Sequence, residues 1–152
     1  MISAIDTNVL LDVLIPNPKF VDQSLETLEA SAEGGALVIS ETVFTELAAQ
    51  FKSLSDLRSF LDESGIRLSP SNVHALYASS MAWKKYLWNR SKRKCPHCAK
   101  EIAGRDRIIS DFMIGGHASA NADRLITRDR GFYRRYFEAI EIVDPSNPKE
   151  GD

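Results

Sequence analysis

Ser3-Ala4-Ile5-Asp6-Thr7-Asn8-Val9-Leu10-Leu11 stands almost at the start of the chain. Ser3 to Ile5 reads as a short strand, and an apolar helix from Thr7 to Leu14 follows without a spacer. Pro16 and Pro18 end that helix. Asp6 therefore sits on the junction, directly after a strand and directly before a helix.

The same alternation continues outward. Val21, Leu25, Leu28 and Ala32 give a helical period between Phe20 and Glu33, closed by Gly34-Gly35. Leu37 to Ile39 is a continuous apolar run of the buried parallel type. Ser40 is placed to cap a helix from Thr42 to Phe51. A short helix from Leu54 to Glu63 precedes a weak strand, Ile66 to Leu68. Ser69-Pro70 is expected to open a long helix through Trp83 to Trp88, because proline suits a first helical turn. Ser91 to Arg105 reads as irregular and basic. A helix from Ile108 to Asn121, a strand at Leu125-Ile126, a helix or turn from Gly131 to Phe137 and a strand from Ile140 to Val143 complete the order. This alternation predicts an α/β fold with a parallel sheet covered by helices on both faces. One domain is expected over residues 1–144, with the basic insert near 91–105 and a flexible tail over 145–152. In such sheets ligands bind at the carboxyl ends of the strands.

Composition sets limits. A chain of 152 residues fits one hydrophobic core, and 43% hydrophobic with 26% charged residues excludes a disordered chain. No apolar run approaches the roughly 18 residues that span a bilayer. The N-terminus lacks the basic and long apolar stretches of a secretory signal, so a cytoplasmic protein without membrane contact is expected. A net charge of −2 argues against a general polyanion binder. Yet Lys84, Lys85, Arg90, Lys92, Arg93, Lys94, Lys100, Arg105 and Arg107 crowd one stretch, and Arg124, Arg128, Arg130, Arg134 and Arg135 another. A mild average can conceal a basic face suited to nucleic acid.

Four acids are candidates for chemistry. Asp6 follows the first strand; it could equally cap the next helix. Asp129 holds the equivalent place after the fourth strand, where a turn aspartate before glycine is also ordinary. Asp111 shares a helix face with Ile114, Gly115 and Ala118, and a carboxylate on so apolar a face needs a cation or an ion pair. Glu46, one turn into the helix after Ser40, is placed to point toward Asp6, or else into solvent. Acids from separate strand–helix units can meet at one sheet edge, where they repel unless cations neutralise them. All-oxygen sites suit Mg²⁺ or Mn²⁺, and two such ions roughly 4 Å apart make a phosphoryl-transfer site.

These motifs resemble the PIN-domain family, and within it the VapC-type toxins of toxin–antitoxin pairs. Ile5-Asp6-Thr7-Asn8-Val9-Leu10-Leu11 resembles its opening motif, and Ser40 with Glu46 its second acidic site. Ser110-Asp111-Phe112-Met113-Ile114-Gly115-Gly116-His117-Ala118 resembles the third, and Leu125-Ile126-Thr127-Arg128-Asp129-Arg130-Gly131-Phe132-Tyr133 the fourth. The resemblance implies a three-layer α/β/α sandwich, Mg²⁺- or Mn²⁺-dependent cleavage of RNA leaving a 5′-phosphate and a 3′-hydroxyl, a homodimer, and a small antitoxin that inserts a peptide near the site. It makes Asp6, Asp111, Asp129 and Glu46 both catalytic and metal-binding. Asn8 and Thr127 resemble its polar supports: Asn8 to orient Asp6, the Thr127 hydroxyl to hold a water. The insert at Ser91 to Arg105 departs from the compact pattern and is placed to form a wall of the substrate groove. Arg93, Lys94, Arg105 and Arg107 would meet phosphates there, with Arg128 and Arg130 nearer the chemistry. Trp83, Tyr86 and Trp88 are readable as base-stacking groups or as core and dimer contacts.

Cys95-Pro96-His97-Cys98 has the spacing of half a zinc site, and the sequence holds no second cysteine pair. A reduced turn, a site pooled between two subunits, and His97 as a third ligand all fit. His117 reads as a buried packing histidine rather than a general base. Asp12, Glu41, Asp106, Asp123 and Asp144 read as caps or solvated charges, Glu41 and Asp144 being the nearest to an outer shell. Two rival functions remain. An aspartate-nucleophile phosphatase needs a second aspartate two positions after the first, where Asn8 stands. A non-catalytic RNA- or protein-binding module would not need the acids.

Overall fold

The structure is a computed structural model that describes residues 1–89, 92–103 and 107–147. In chain order it contains β1 (Ile2–Ile5), α1 (Thr7–Leu14), α2 (Val21–Glu33), β2 (Ala36–Ile39), α3 (Glu41–Ala48), α4 (Leu54–Glu63), β3 (Ile66–Leu68), α5 (Val73–Asn89), β4 (Lys92–Lys94), β5 (Glu101–Ala103), α6 (Ile109–Asn121), β6 (Arg124–Ile126), α7 (Arg130–Tyr136) and β7 (Glu141–Val143). Five strands form one parallel sheet in the order β3-β2-β1-β6-β7, flanked by helices as expected of an α/β/α sandwich. β1 is central: Ala4 lies opposite Val38 on one side and Leu125 on the other.

The apolar strand residues explain this burial. Ile5, Ile39, Leu125 and Ile126 are almost fully excluded from solvent, each contributing about 1.5–3 kcal/mol of hydrophobic stabilisation. The second layer of contact joins α5 to α6. Gly116 lies so close to α5 that a Cβ there would stand 2.5 Å from the Ala75 carbonyl oxygen and 2.1 Å from the Ser79 hydroxyl. Around it, Trp83, Tyr86, Phe112, Phe132 and Tyr136 form an aromatic cluster, with ring centroids 5.1 Å apart for Trp83–Phe112 and 5.0 Å for Phe112–Phe132. Trp83 and Tyr86 are thus core groups. Trp88 is 87% exposed.

Three sequence expectations change. α5 begins at Val73, not at Pro70, because the Ser69 N–H still donates to the Ile39 carbonyl and prolongs the sheet. Asn72 then caps the helix by accepting from the Ala75 N–H at 2.8 Å. The insert is not irregular: β4 and β5 pair as an antiparallel hairpin. On α2 the buried residues include Ser24 and Ser31 rather than Leu25, since the Ser24 hydroxyl donates to Asp12 at 2.9 Å. The expected tail beyond 147 lies outside the described residues.

His117 is 1% exposed, with its Nε2 lacking a partner. Burial holds its imidazole below the ordinary 6.5, opposed by a main-chain bond at Ser69 and by the Glu41 charge. Glu41 itself is pushed up by burial, but its own backbone bond, the Ser71 bonds and His117 outweigh this and lower it.

Two tests follow from this packing. Gly116→Ala is expected to lower stability by about 1–3 kcal/mol in urea unfolding, because helix backbone must shift. The depressed His117 binds its proton more readily in the unfolded chain, so its stabilising contribution is complete above 6.5 and is lost as pH falls through the folded value. Melting curves should decline faster below that pH for the wild type than for His117→Gln.

Candidate active site

From β1 the chain builds outward to β3, then returns to the other side of β1 as β6. The carboxyl ends of β1 and β6 therefore flank the reversal point, where a crevice opens in such sheets. Asp6 immediately follows β1, and Thr127 and Asp129 follow β6. The Asp6 N–H donates to the Ile126 carbonyl at 3.0 Å, pinning the two strand ends together.

The Asp6 side chain does not cap α1. It turns to the β6 side, accepting from Asn8 Nδ2 at 2.6 Å and from the Thr127 hydroxyl at 2.7 Å. The Asn8 amide thus holds the Asp6 carboxyl. The Thr127 hydroxyl is fully buried; it donates to Asp6 and accepts from the Asp129 N–H at 3.0 Å, so it ties the two aspartates together. Asp6 is 6% exposed. Burial lifts its carboxyl from 3.8 to about 6; bonds from Thr127 and the Thr7 main chain lower it, and the charges of Asp111 and Glu46 add to the rise.

The other acids approach from three further elements. Ser40 caps α3 by accepting from the Val43 N–H, and Glu46 on that helix receives a hydrogen bond from the Thr7 hydroxyl, beside Asp6. Asp111, in the first turn of α6, accepts from the Ile108 N–H at 3.4 Å. Burial raises it, Ile108 and Arg107 hold it down, and Asp129 and Glu46 raise it again. The Arg107 guanidinium forms an ion pair with Asp129 and lies 4.5 Å over the Phe132 ring. Beneath the group, the buried Tyr133 phenol is held protonated, first by burial and then by the charges of Asp6, Asp111 and Asp129; it is hydrogen-bonded to Asp6. One phenol senses three of the four acids.

Among the described residues no three acids, histidines or cysteines converge closely enough to hold an ion together as they are placed. Each carboxylate is turned toward a protein partner: Asp6 to Asn8 and Thr127, Glu46 to Thr7, Asp129 to Arg107, Asp111 to Ile108. The donor set is nonetheless all oxygen, mutually repelling and half to fully shielded, which suits a hard divalent cation. The Arg107 cation already neutralises one of the four.

The basic residues divide. Arg128 is ion-paired: Nε and Nη2 donate to Asp12 at 2.7 and 3.0 Å, and its guanidinium lies 4.3 Å over Phe20. Arg130 stands 3.7 Å from Asp144. Arg105 lies outside the described residues, as do the side chains of Arg93 and Lys94 on β4. Glu41 accepts from the Ser71 N–H and hydroxyl, both at 3.0 Å, and faces His117 rather than the acids.

Sequence reasoning missed Asp12, Thr7 and Tyr133. Asp12 is no solvated charge; it is 3% exposed. The available signal was an acid in the apolar run Val9-Leu10-Leu11-Asp12-Val13-Leu14. Arg128→Ala should lower stability by about 3–5 kcal/mol in urea unfolding, because it leaves the Asp12 carboxylate buried without its cation.

The profile of the PIN domain matches residues 4–138. A search of curated proteins gives no match. Among solved structures, the chain is similar to VapBC2 from Rickettsia felis bound to a DNA fragment from their promoter, with TM-score 0.66 and 21% identity over 95% of this chain and 98% of that one. It is similar to VapBC-1 from nontypeable Haemophilus influenzae, with TM-score 0.65 and 17% identity over 96% and 99%. FitAcB from Neisseria gonorrhoeae gives TM-score 0.59 and 19% identity over 95% and 98%. At these identities the structures attest the fold, and the profile, spanning most of the chain, attests descent: the chain belongs to the PIN-domain family.

Proposed function

We propose that the chain is a divalent-metal-dependent endoribonuclease and the toxin of a VapBC-type toxin–antitoxin pair, acting in the cytoplasm as a homodimer. The observation that carries the reading is that Asp6, Glu46, Asp111 and Asp129 come from four elements to the sheet's reversal point, where the charges of Glu46, Asp111 and Asp129 act on their neighbours' carboxyls and those of Asp6, Asp111 and Asp129 act on one phenol. The neighbours' description as VapBC complexes supports a small antitoxin partner. No helix among the described residues is long and apolar enough to cross a membrane.

Asp6, Asp111 and Asp129, with Glu46, would hold Mg²⁺ or Mn²⁺. When bound, such ions supply Lewis-acid stabilisation of the phosphate and ionise an attacking water near neutral pH. The protein's own residues prepare this. Asn8 and Thr127 fix Asp6 in one rotamer, and Thr7 fixes Glu46, so the donors are oriented before substrate arrives. Ser40 sets the start of α3 and hence the reach of Glu46. Tyr133 stays a neutral donor under the acids. Arg107 and Arg130 would supply phosphate contacts, and Arg93, Lys94 and Arg105 would extend them along the insert. An aspartate-nucleophile phosphatase fits poorly, because the Asn8 amide donates to Asp6 and cannot serve as its acid–base partner.

The test is incubation of purified protein with a mixed RNA pool and Mn²⁺, followed by mapping of cut ends. Internal cuts bearing 5′-phosphates are expected. Asp6→Asn should reduce cleavage by more than about 100-fold, since changing even an outer partner of a metal ligand costs about 10–100-fold. The same variant should melt no lower than wild type without metal, because raising a carboxyl from 3.8 to about 6 corresponds to about 3 kcal/mol against its ionised form. An inert wild type would favour a binding module, and full activity in a folded Asp6→Asn protein would remove Asp6 from the mechanism.

A further inference from the structure

We infer that the β4–β5 hairpin carries half of a tetrathiolate zinc site, whose four ligands are Cys95 and Cys98 of one chain and the same pair of a second copy. The hairpin is built for the purpose. Lys94 lies opposite Glu101, and the six residues between them fold back tightly. The Cys95 N–H donates to the Lys100 carbonyl at 2.8 Å, and the Ala99 N–H donates to the Cys95 carbonyl at 3.0 Å. Ala99 adopts φ +56°, a left-handed conformation seen at no other non-glycine among the described residues. That turn directs the main-chain N–H groups of His97 and Cys98 at the Cys95 sulfur, and the Cys98 thiol also bonds to it. The two sulfurs are therefore side by side, as ligands of one tetrahedral zinc must be, about 3.8 Å apart for Zn–S bonds of about 2.3 Å.

A zinc ion of this structural kind needs four ligands, and one chain does not supply them. The sequence has two cysteines. His117 is buried against α5, near Glu41. His74 sits at the first turn of α5, and that helix carries the chain roughly 22 Å before the hairpin starts, at 1.5 Å per residue. His97 does not converge with Cys95 and Cys98 as a group of three. Cys98 is exposed and Cys95 partly so, leaving both open to another molecule.

A second copy fits the surroundings. Val73, Tyr77, Met81, Lys84 and Trp88 lie at helical spacing on α5, and Val73, Tyr77, Met81 and Trp88 are 79%, 65%, 40% and 87% exposed. The stripe ends at Trp88, near the end of α5, in a cleft of about 280 Å³ lined by Met81, Lys84, Lys85, Trp88 and Asn89. Pairing would cover this apolar surface. Two basic hairpins would repel, but zinc with four thiolates carries a net double negative charge that relieves part of the repulsion among Lys92, Arg93, Lys94 and Lys100 of the two copies. Soft thiolates select zinc over the hard ions proposed for the carboxylates. Each thiol releases its proton on binding.

This inference rests on the pairing of two copies proposed above and is independent of nuclease activity. The test uses the full chain, purified reduced and without chelators, then supplied with zinc alone, with metal content and molar mass measured together. One zinc per two chains in a dimer is expected, lost in Cys95→Ser and Cys98→Ser and retained in His97→Ala. Cobalt in place of zinc should give the absorption of a four-thiolate tetrahedral site. A zinc-free dimer overturns the site and leaves the pairing intact. One zinc per monomer overturns the shared site. A zinc-free monomer overturns both the shared zinc and its premise, whereas a Cys95–Cys98 disulfide persisting under reducing conditions overturns the zinc site alone.

Discussion

Four negatively charged side chains held near one another are the constraint around which this fold is arranged. In water they would separate. Here β1, α3, α6 and the loop after β6 hold them in place, and the carboxyls of Asp6 and Asp111 are held above their usual range, chiefly by burial and in smaller part by the charges of the neighbouring acids. The protein distributes donors to each acid, from Asn8, Thr127, Thr7, Arg107 and the Ile108 main chain. Those donors serve orientation as much as stability, since a carboxylate fixed in one rotamer loses less entropy on taking up a cation. Buried acids also explain Tyr133, whose phenol can remain among them only as a neutral donor.

Much of this was legible in sequence. The strand–helix alternation reports burial period, which the sheet obeys, and Asp6 was placed correctly because a parallel strand's end is a fixed address. Asn8 was readable for the same reason: two residues past Asp6, it shares the same turn. Thr127 was legible as a support but not in its role, because a hydroxyl's partner is decided by the third dimension. The pairing of Asp12 with Arg128 joins residues 116 apart, and only the β1–β6 adjacency brings them together. Arg128 looked like a nucleic-acid contact because charge in a sequence carries no record of its partner. The hairpin was missed because strands of three residues, Lys-Arg-Lys and Glu-Ile-Ala, lack an alternating apolar pattern; backbone pairing and the Ala99 turn define them instead.

Arg107, which follows β5 in the sequence, stands among the acids through its ion pair with Asp129. The cation rests on Phe132, whose ring also meets Phe112 on α6. Phe112 neighbours Asp111 in sequence, so one aromatic contact stands behind two of the four acids.

The central place of β1 has a consequence for synthesis. Its neighbour β6 lies some 120 residues downstream, so the loop that joins Asp6 to Thr127 is nearly the whole chain. Closing so long a loop is entropically slow, and contacts of high sequence separation form late. β2 can pair with β1 much earlier, giving a partial sheet whose open edge awaits β6. A nascent or truncated chain of this kind holds Asp6 without the Thr127 hydroxyl that donates to it, so the setting of this acid at the sheet's reversal point is complete only once β6 has joined the sheet.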